Sequence, residues 1–361
     1  MAIDPRRRQW LLGLSLAPLA RLAQAVPAHP AAPRLLTCWA DDLRRPRAFH
    51  AGRLDQPALA IALPARGHDV FWHPSGDGSA VVVARRPGRF LIRWQVATGR
   101  ILARFDADDA DQAIRLEGHF CFSHDGRQLY ATESESIDGR GQVGVYDALT
   151  LQRLGGWSSG GIGPHSIRLL ADGQLAVANG GILTLPETGR LKRNRERMDP
   201  SLATLDVGTG QLLAQLRLPD PWMSVRHIAQ GRSGQVAVAL QNEGGPPRPL
   251  LALADAGALR YAEASAPVME ACGGYAGDVL ALPQGLAVSC TTAGRTALWD
   301  WEGRFQGSHA TPRVCALARA GTSWIATGDE GDVWRSRSAG PREVPTHWRE
   351  GVALDNHAVP A

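Results

Sequence analysis

The 361-residue chain is 44% apolar and carries a formal net charge of +4, enough for one large β domain or two medium ones with a sizeable core. The first 25 residues hold Arg6, Arg7, Arg8 and Arg21 against Asp4, so nearly all the excess positive charge sits in this leader. The near-neutral remainder has a single lysine, Lys192, and lacks the basic stripe that binding a nucleic acid requires.

Taken in chain order, Arg7-Arg8-Gln9-Trp10-Leu11-Leu12 has the form of a twin-arginine export signal. An apolar run follows to Ala20, then Ala23-Gln24-Ala25 offers an A-x-A cleavage site. The run is about 11 residues, against about 20 needed to span a bilayer. A Sec signal and a retained anchor are the alternatives. This reading predicts a cleavable signal peptide over 1–25 and a linker over 26–34. One exported, periplasmic domain follows over 35–361, with no integral membrane segment in the mature chain. The five cysteines, Cys38, Cys121, Cys272, Cys290 and Cys315, form no Cys-x-x-Cys. A zinc ribbon, a thioredoxin motif and covalent c-type haem therefore lack support. A Cys272–Cys290 bridge and buried free thiols both remain open.

Beyond the leader, short runs rich in Val, Leu, Ile, Trp and Ala alternate with Gly-Asp-Ser-Pro turns, an all-β pattern. An opening phrase recurs: His68-Asp69-Val70, His119-Phe120-Cys121, His165-Ser166-Ile167 and His227-Ile228, with Asp278 and Cys315 in the same phase. Each start reaches a turn glycine six to eight residues on: Gly76, Gly126, Gly173, Gly234, Gly285 and Gly321. A second strand follows, then a third that ends in a turn such as Asp206-Val207-Gly208-Thr209-Gly210, then a fourth. Starts lie about 37 to 62 residues apart, the repeat length of four-stranded propeller blades. Strand candidates at Leu36–Ala40, Phe49–Leu54 and Leu59–Leu63 lack the phrase, and Asp355-Asn356-His357-Ala358-Val359 at the other end supplies it. The prediction is a seven-bladed β-propeller closed by strands from both termini, which removes exposed sheet edges.

Several segments also carry a resemblance. Gly161-Ile162-Gly163-Pro164-His165, Ala178-Asn179-Gly180-Gly181-Ile182, Met198-Asp199-Pro200-Ser201-Leu202, Ser224-Val225-Arg226-His227 and Asp355-Asn356-His357 resemble an uncharacterised family of twin-arginine-exported bacterial β-propellers. Members are often encoded beside imelysin-type, iron-regulated lipoproteins. The resemblance runs from about residue 35 to the end and implies the fold, the compartment and a link to iron. It departs at Gly118-His119-Phe120, where the family has a longer, histidine-richer run.

Blade topology places the opening residues of all inner strands at one mouth of the channel. His68, His119, His165, His227 and His357, with Asp278, are the candidate metal ligands, because neutral imidazole is the commonest side-chain ligand for iron, copper and zinc. Iron, copper or haem are the cofactors such a set suits. The alternative is a structural histidine bonding within each blade. Arg226 suits an anionic ligand or an ion pair between blades. Glu133, Asn179 and Asn242 end second strands on the same face, where the long loops Ser134–Gly141, Gly180–Ser201 and Asn242–Pro249 also fall. A second function class follows from those loops and the basic run Arg190–Arg197: a scaffold that docks a periplasmic or lipoprotein partner. A third is a hydrolase or oxidoreductase with Asp278 and histidines as acid and base. It ranks last, since no nucleophile–base pair, Gly-x-Ser-x-Gly, P-loop or His-Glu-x-x-His is present, and the reading leans against an enzyme. Asp106–Asp111 alternates like a calcium loop but lacks its glycine and closing glutamate, so it reads as a solvated acidic loop.

Overall fold

The computed structural model describes residues 33–361 except 110–112, 190, 256, 322, 337–345 and 350. The leader residues Arg7, Arg8, Ala23 and Ala25 lie outside the described residues. Seven four-stranded antiparallel sheets form a ring. Blade 1 takes its inner strand from the end of the chain, Ala353–Pro360, followed outward by Leu35–Ala40, Phe49–Arg53 and Ile61–Leu63. The inner strands of blades 2 to 7 are Gly67–Trp72, Ile114–Phe122, Pro164–Leu169, Met223–Gln230, Ala276–Leu282 and Val314–Ala320. Ala353–Pro360 packs against both Val314–Ala320 and Gly67–Trp72, which closes the ring as expected from sequence. Among the described residues one α-helix occurs, Ala266–Ala271, and no helix is long and apolar enough to cross a membrane.

The cores lie between blades, and strand periodicity explains why. Ser79–Ala84, the second strand of blade 2, is buried along its whole length. Its alternate residues point to opposite faces. Val82 joins Ile92 and Trp94 in the core shared with blade 1, whereas Val81 and Val83 join Phe120, Leu129 and Tyr146 in the core shared with blade 3. A strand covered on both faces reads as an unbroken apolar run. An outer strand such as Arg153–Ile162 instead alternates between half-buried and exposed along its first six residues.

A shared irregularity positions the site. Each inner strand loses register with its neighbour around its opening residue: between Gly67 and Val70, Leu116 and Phe120, Pro164 and Ile167, Val225 and His227, Ala276 and Asp278, and Val314 and Leu317. The closing strand does the same opposite Thr37 and Trp39. Such bulges bend a strand and re-aim a side chain. Recurring in one phase, they bring six of the seven opening residues, the five histidines and Asp278, together at the ring axis, while Cys315 lines the outer cavity. Buried hydroxyls pin them. Thr37 Oγ1 donates to the His357 carbonyl at 2.6 Å and Ser289 Oγ to that of Cys315 at 2.7 Å. Thr132 Oγ1 reaches the carbonyls of His119 (3.2 Å) and His165 (3.1 Å), tying blade 3 to blade 4. Replacing Thr132 with the isosteric valine should lower stability by about 1–2 kcal/mol, read as a lower urea midpoint at unchanged slope.

Candidate metal centre

The five opening histidines meet. Ring centroids lie 4.9 Å apart for His68–His119, 4.6 Å for His119–His165, 4.8 Å for His165–His227 and 5.0 Å for His227–His357. His119 is the hub, also 5.3 Å from His227 and 4.8 Å from His357. All five are at most 8% exposed. The imidazoles are thus packed against one another out of solvent rather than spread around an open rim. The offset along an inner strand sets which residues meet, while the bulges decide how far inward they reach.

Close approach of His68 and His119 depends on Gly118. Its φ is +104°, and a Cβ there would sit 2.8 Å from His68 Cδ2. Gly163, just before Pro164-His165, has φ +60° and lies so close to the Ile182 carbonyl that a Cβ would meet it at 2.5 Å. That contact seats the start of the 180–201 loop against the strand carrying His165.

Carboxylates stand behind three of the rings. His68 Nδ1 is 2.8 Å from Asp355 Oδ1, His119 Nδ1 is 3.0 Å from Asp69 Oδ2, and His357 Nδ1 is 3.7 Å from Asp278 Oδ2. Asp69, Asp278 and Asp355 are held in turn by the backbone N–H of the next residue. Asp355 also accepts from Arg66. Meanwhile His119 Nε2, His357 Nε2 and His165 Nδ1 are buried with no hydrogen-bond partner. Three combinations place one ligand atom per residue within 4.8 Å of one another: His68–His119–His357, His119–His165–His227 and His227–Asp278–His357. An ion with bonds of about 2.1 Å holds its donors roughly 3–4 Å apart, so small ring shifts complete the contact.

Burial sets the protonation. It holds His119, His165 and His227 well below the ordinary imidazole value. It takes His68 to about 3, outweighing Asp355. For His357 burial is overcome by Asp278, Asp69 and Asp355, which raise it to about 9. Four rings are thus neutral, the form that binds a metal, and His357 has to give up its proton to become a fifth ligand.

Of the other expected residues, Arg226 stays at the histidines and the rest engage partners elsewhere. Arg226 is buried beside the cluster, its Nη2 3.6 Å from Glu243 Oε1. That pairing lies within blade 5 and the residue following its second strand. Asn179 donates to the Ser159 carbonyl at 2.9 Å. Asn242 caps a turn, donating to the Pro246 carbonyl and accepting from the Gly244 N–H. Glu133 points into its own blade, toward Tyr146 and Arg153. The basic run bends back on the protein: Lys192 pairs with the Glu243 carboxylate and Arg195 donates to the Glu243 carbonyl. Arg190 lies outside the described residues. The five cysteines are free thiols. Asp106 pairs with Arg104, and Asp108 with Arg89 and Arg115; Asp111 lies outside the described residues. Sequence reasoning missed Asp69 and Asp355 as histidine partners. Their signal was present, since each sits inside an opening phrase beside a histidine.

No curated protein matches the chain. Among solved structures it is similar to the Dos1 propeller, at 12% identity and a TM-score of 0.57, covering 91% of this chain and 87% of that one. It is also similar to a functionally unknown protein from Desulfotomaculum acetoxidans (10% identity, TM-score 0.57, covering 89% and 99%). A third is hydrazine synthase of Kuenenia stuttgartiensis (12% identity, TM-score 0.55, covering 88% and 99%). At such identities the likeness establishes the propeller fold alone. The profile of one family, described as a protein of unknown function (DUF1513), matches residues 61–361, and the chain therefore belongs to the DUF1513 family.

Proposed function

We propose that this protein binds a first-row transition-metal ion in its channel through the five histidines, and serves metal handling in the periplasm. One observation carries the reading: three buried ring nitrogens, on His119, His165 and His357, have no hydrogen-bond partner and belong to one cluster. An unmet buried polar atom costs about 1–3 kcal/mol, and an ion bound by those nitrogens removes that cost. The carboxylates behind His68 and His119 support it further, because metal-bound histidines donate their other N–H to such partners. Imidazole-rich sets suit iron, copper, nickel and zinc. The cavity touching His68, His165 and His227 is about 20 Å³, room for a water-sized ligand and far too small for a haem macrocycle. Export rests on the Arg7-Arg8 signal and the Ala23-Gln24-Ala25 site, and iron on the resemblance to propellers encoded beside iron-regulated lipoproteins.

Elemental analysis and an absorption spectrum of protein exported in native form test the proposal. The expected result is about one ion per chain. Protein that is metal-free and takes up neither iron, copper nor zinc on addition refutes it. Protons compete for imidazole nitrogens, so acidification should release the ion, followed with a chromogenic chelator; retention unchanged down to unfolding would show that histidines are not the ligands.

A further inference from the structure

Two cavities share a wall beside the histidines. The inner one touches the cluster, and the outer is a chamber of about 370 Å³ that also reaches Thr291 and Phe49. They share Arg85, Tyr275 and Asn356. These three residues thus stand between a space in the size range of small-molecule sites, about 300–1,000 Å³, and one that admits about a water.

Charge at this junction is unbalanced. Four arginines surround it. Arg66 pairs with Asp355, Arg86 lies 3.7 Å from Glu117, and Arg226 lies 3.6 Å from Glu243. Among the described residues Arg85 has no carboxylate within 4.0 Å. Its Nε is buried and donates to nothing. Burial lowers its pKa, the mark of a cation withdrawn from water. Two acids also line the outer chamber: Asp42 accepts the backbone N–H groups of Arg44 and Arg45, and Asp329, whose buried Oδ1 accepts no hydrogen bond, lies 3.4 Å from Arg313. The Asp355 carboxylate attracts Arg85 from beyond contact distance, but a largely buried guanidinium with no directly paired carboxylate is still costly. Its planar fork matches a carboxylate bidentately.

We infer that the outer chamber receives a small organic carboxylate carrying a metal ion, with Arg85 anchoring one carboxylate at the junction while the ion passes inward to the histidines. In that transfer carboxylate oxygens leave the ion as imidazole nitrogens replace them; no oxidation state changes and no covalent bond is made or broken. The delivery role rests on the metal reading above. The carboxylate site stands on Arg85 and the chamber.

Calorimetric titration of the full chain with citrate, and separately with inorganic phosphate, tests the inference. Citrate should bind one per chain. Arg85→Gln should weaken it about tenfold or more, the loss of a charge-assisted pair, while leaving uptake of free zinc unchanged. Arg85→Lys keeps the charge without the fork and should fall between the two. If Arg85→Gln does not fold, judged by circular dichroism, the lysine variant decides, and citrate affinity equal to wild type overturns the inference. So does absence of citrate binding to the wild type, or phosphate binding as tightly as citrate. Zinc uptake without citrate binding overturns this inference alone. Citrate binding without metal uptake overturns the metal centre and the delivery role with it, and leaves the carboxylate site in place.

Discussion

Replacing His119 with alanine should lower metal affinity by about 100-fold or more, measured by competition with a chelator of known affinity. Removing an outer partner of a metal-bound histidine typically costs about 10–100-fold, and His119 is more central than that. It contacts all four other imidazoles and belongs to two of the three possible ligand triads. Without it only His227–Asp278–His357 survives among them. Asp69→Asn removes the carboxylate behind His119 and should cost about 10–100-fold on the same principle. His73 provides the control. It is also a buried histidine whose Nε2 has no partner, but it bonds Ser75 through Nδ1 and belongs to no cluster of ligand atoms among the described residues, so His73→Ala should leave metal content unchanged. If His119→Ala binds metal with wild-type affinity, the cluster is a packing device and the proposed function fails.

The propeller was legible because its evidence is repetitive. An opening residue, a turn glycine and a second strand recur in phase, and a ring of blades converts equal phase into spatial proximity. That logic brought His68, His119, His165, His227 and His357 together before any contact was known, and it matched Asp355-Asn356-His357 to strands about 300 residues earlier. Depth in the channel was not legible. It depends on a bulge in every inner strand, and a bulge has no local signature in phrases as different as Gly67-His68-Asp69 and Val225-Arg226-His227. Partner choice was hidden for a related reason. Asp69 adjoins His68 yet binds His119 one blade on, while Asp355 sits near His357 yet binds His68. Such pairings cross blade boundaries, where sequence distance says nothing. The ends of second strands misled in the opposite direction: they share a face, but a side chain there can turn outward into its own sheet.

Glu133 shows that outward turn, and Glu133→Ala should destabilise the fold by about 3–5 kcal/mol, the usual result of removing one partner of a buried ion pair. The side chain is fully buried. It lies across the third strand of its blade to reach Arg153 Nη2 at 2.9 Å, and it accepts from the Tyr146 hydroxyl. Gly144 makes the crossing feasible, because a Cβ there would sit 1.9 Å from Glu133 Oε1. Burial raises the Glu133 carboxyl, against the pull of Arg153 and Tyr146. Truncation would leave the Arg153 guanidinium, 14% exposed, with no carboxylate and the Tyr146 hydroxyl with no acceptor. Glu133→Gln keeps the shape and an acceptor and should cost less. Chemical denaturation of both variants gives the ordering, and metal analysis of the folded fraction gives the assignment. A brace internal to blade 3 predicts full metal content in each. Metal loss from a variant whose fold and denaturation midpoint match the wild type would instead place Glu133 in the ligand set.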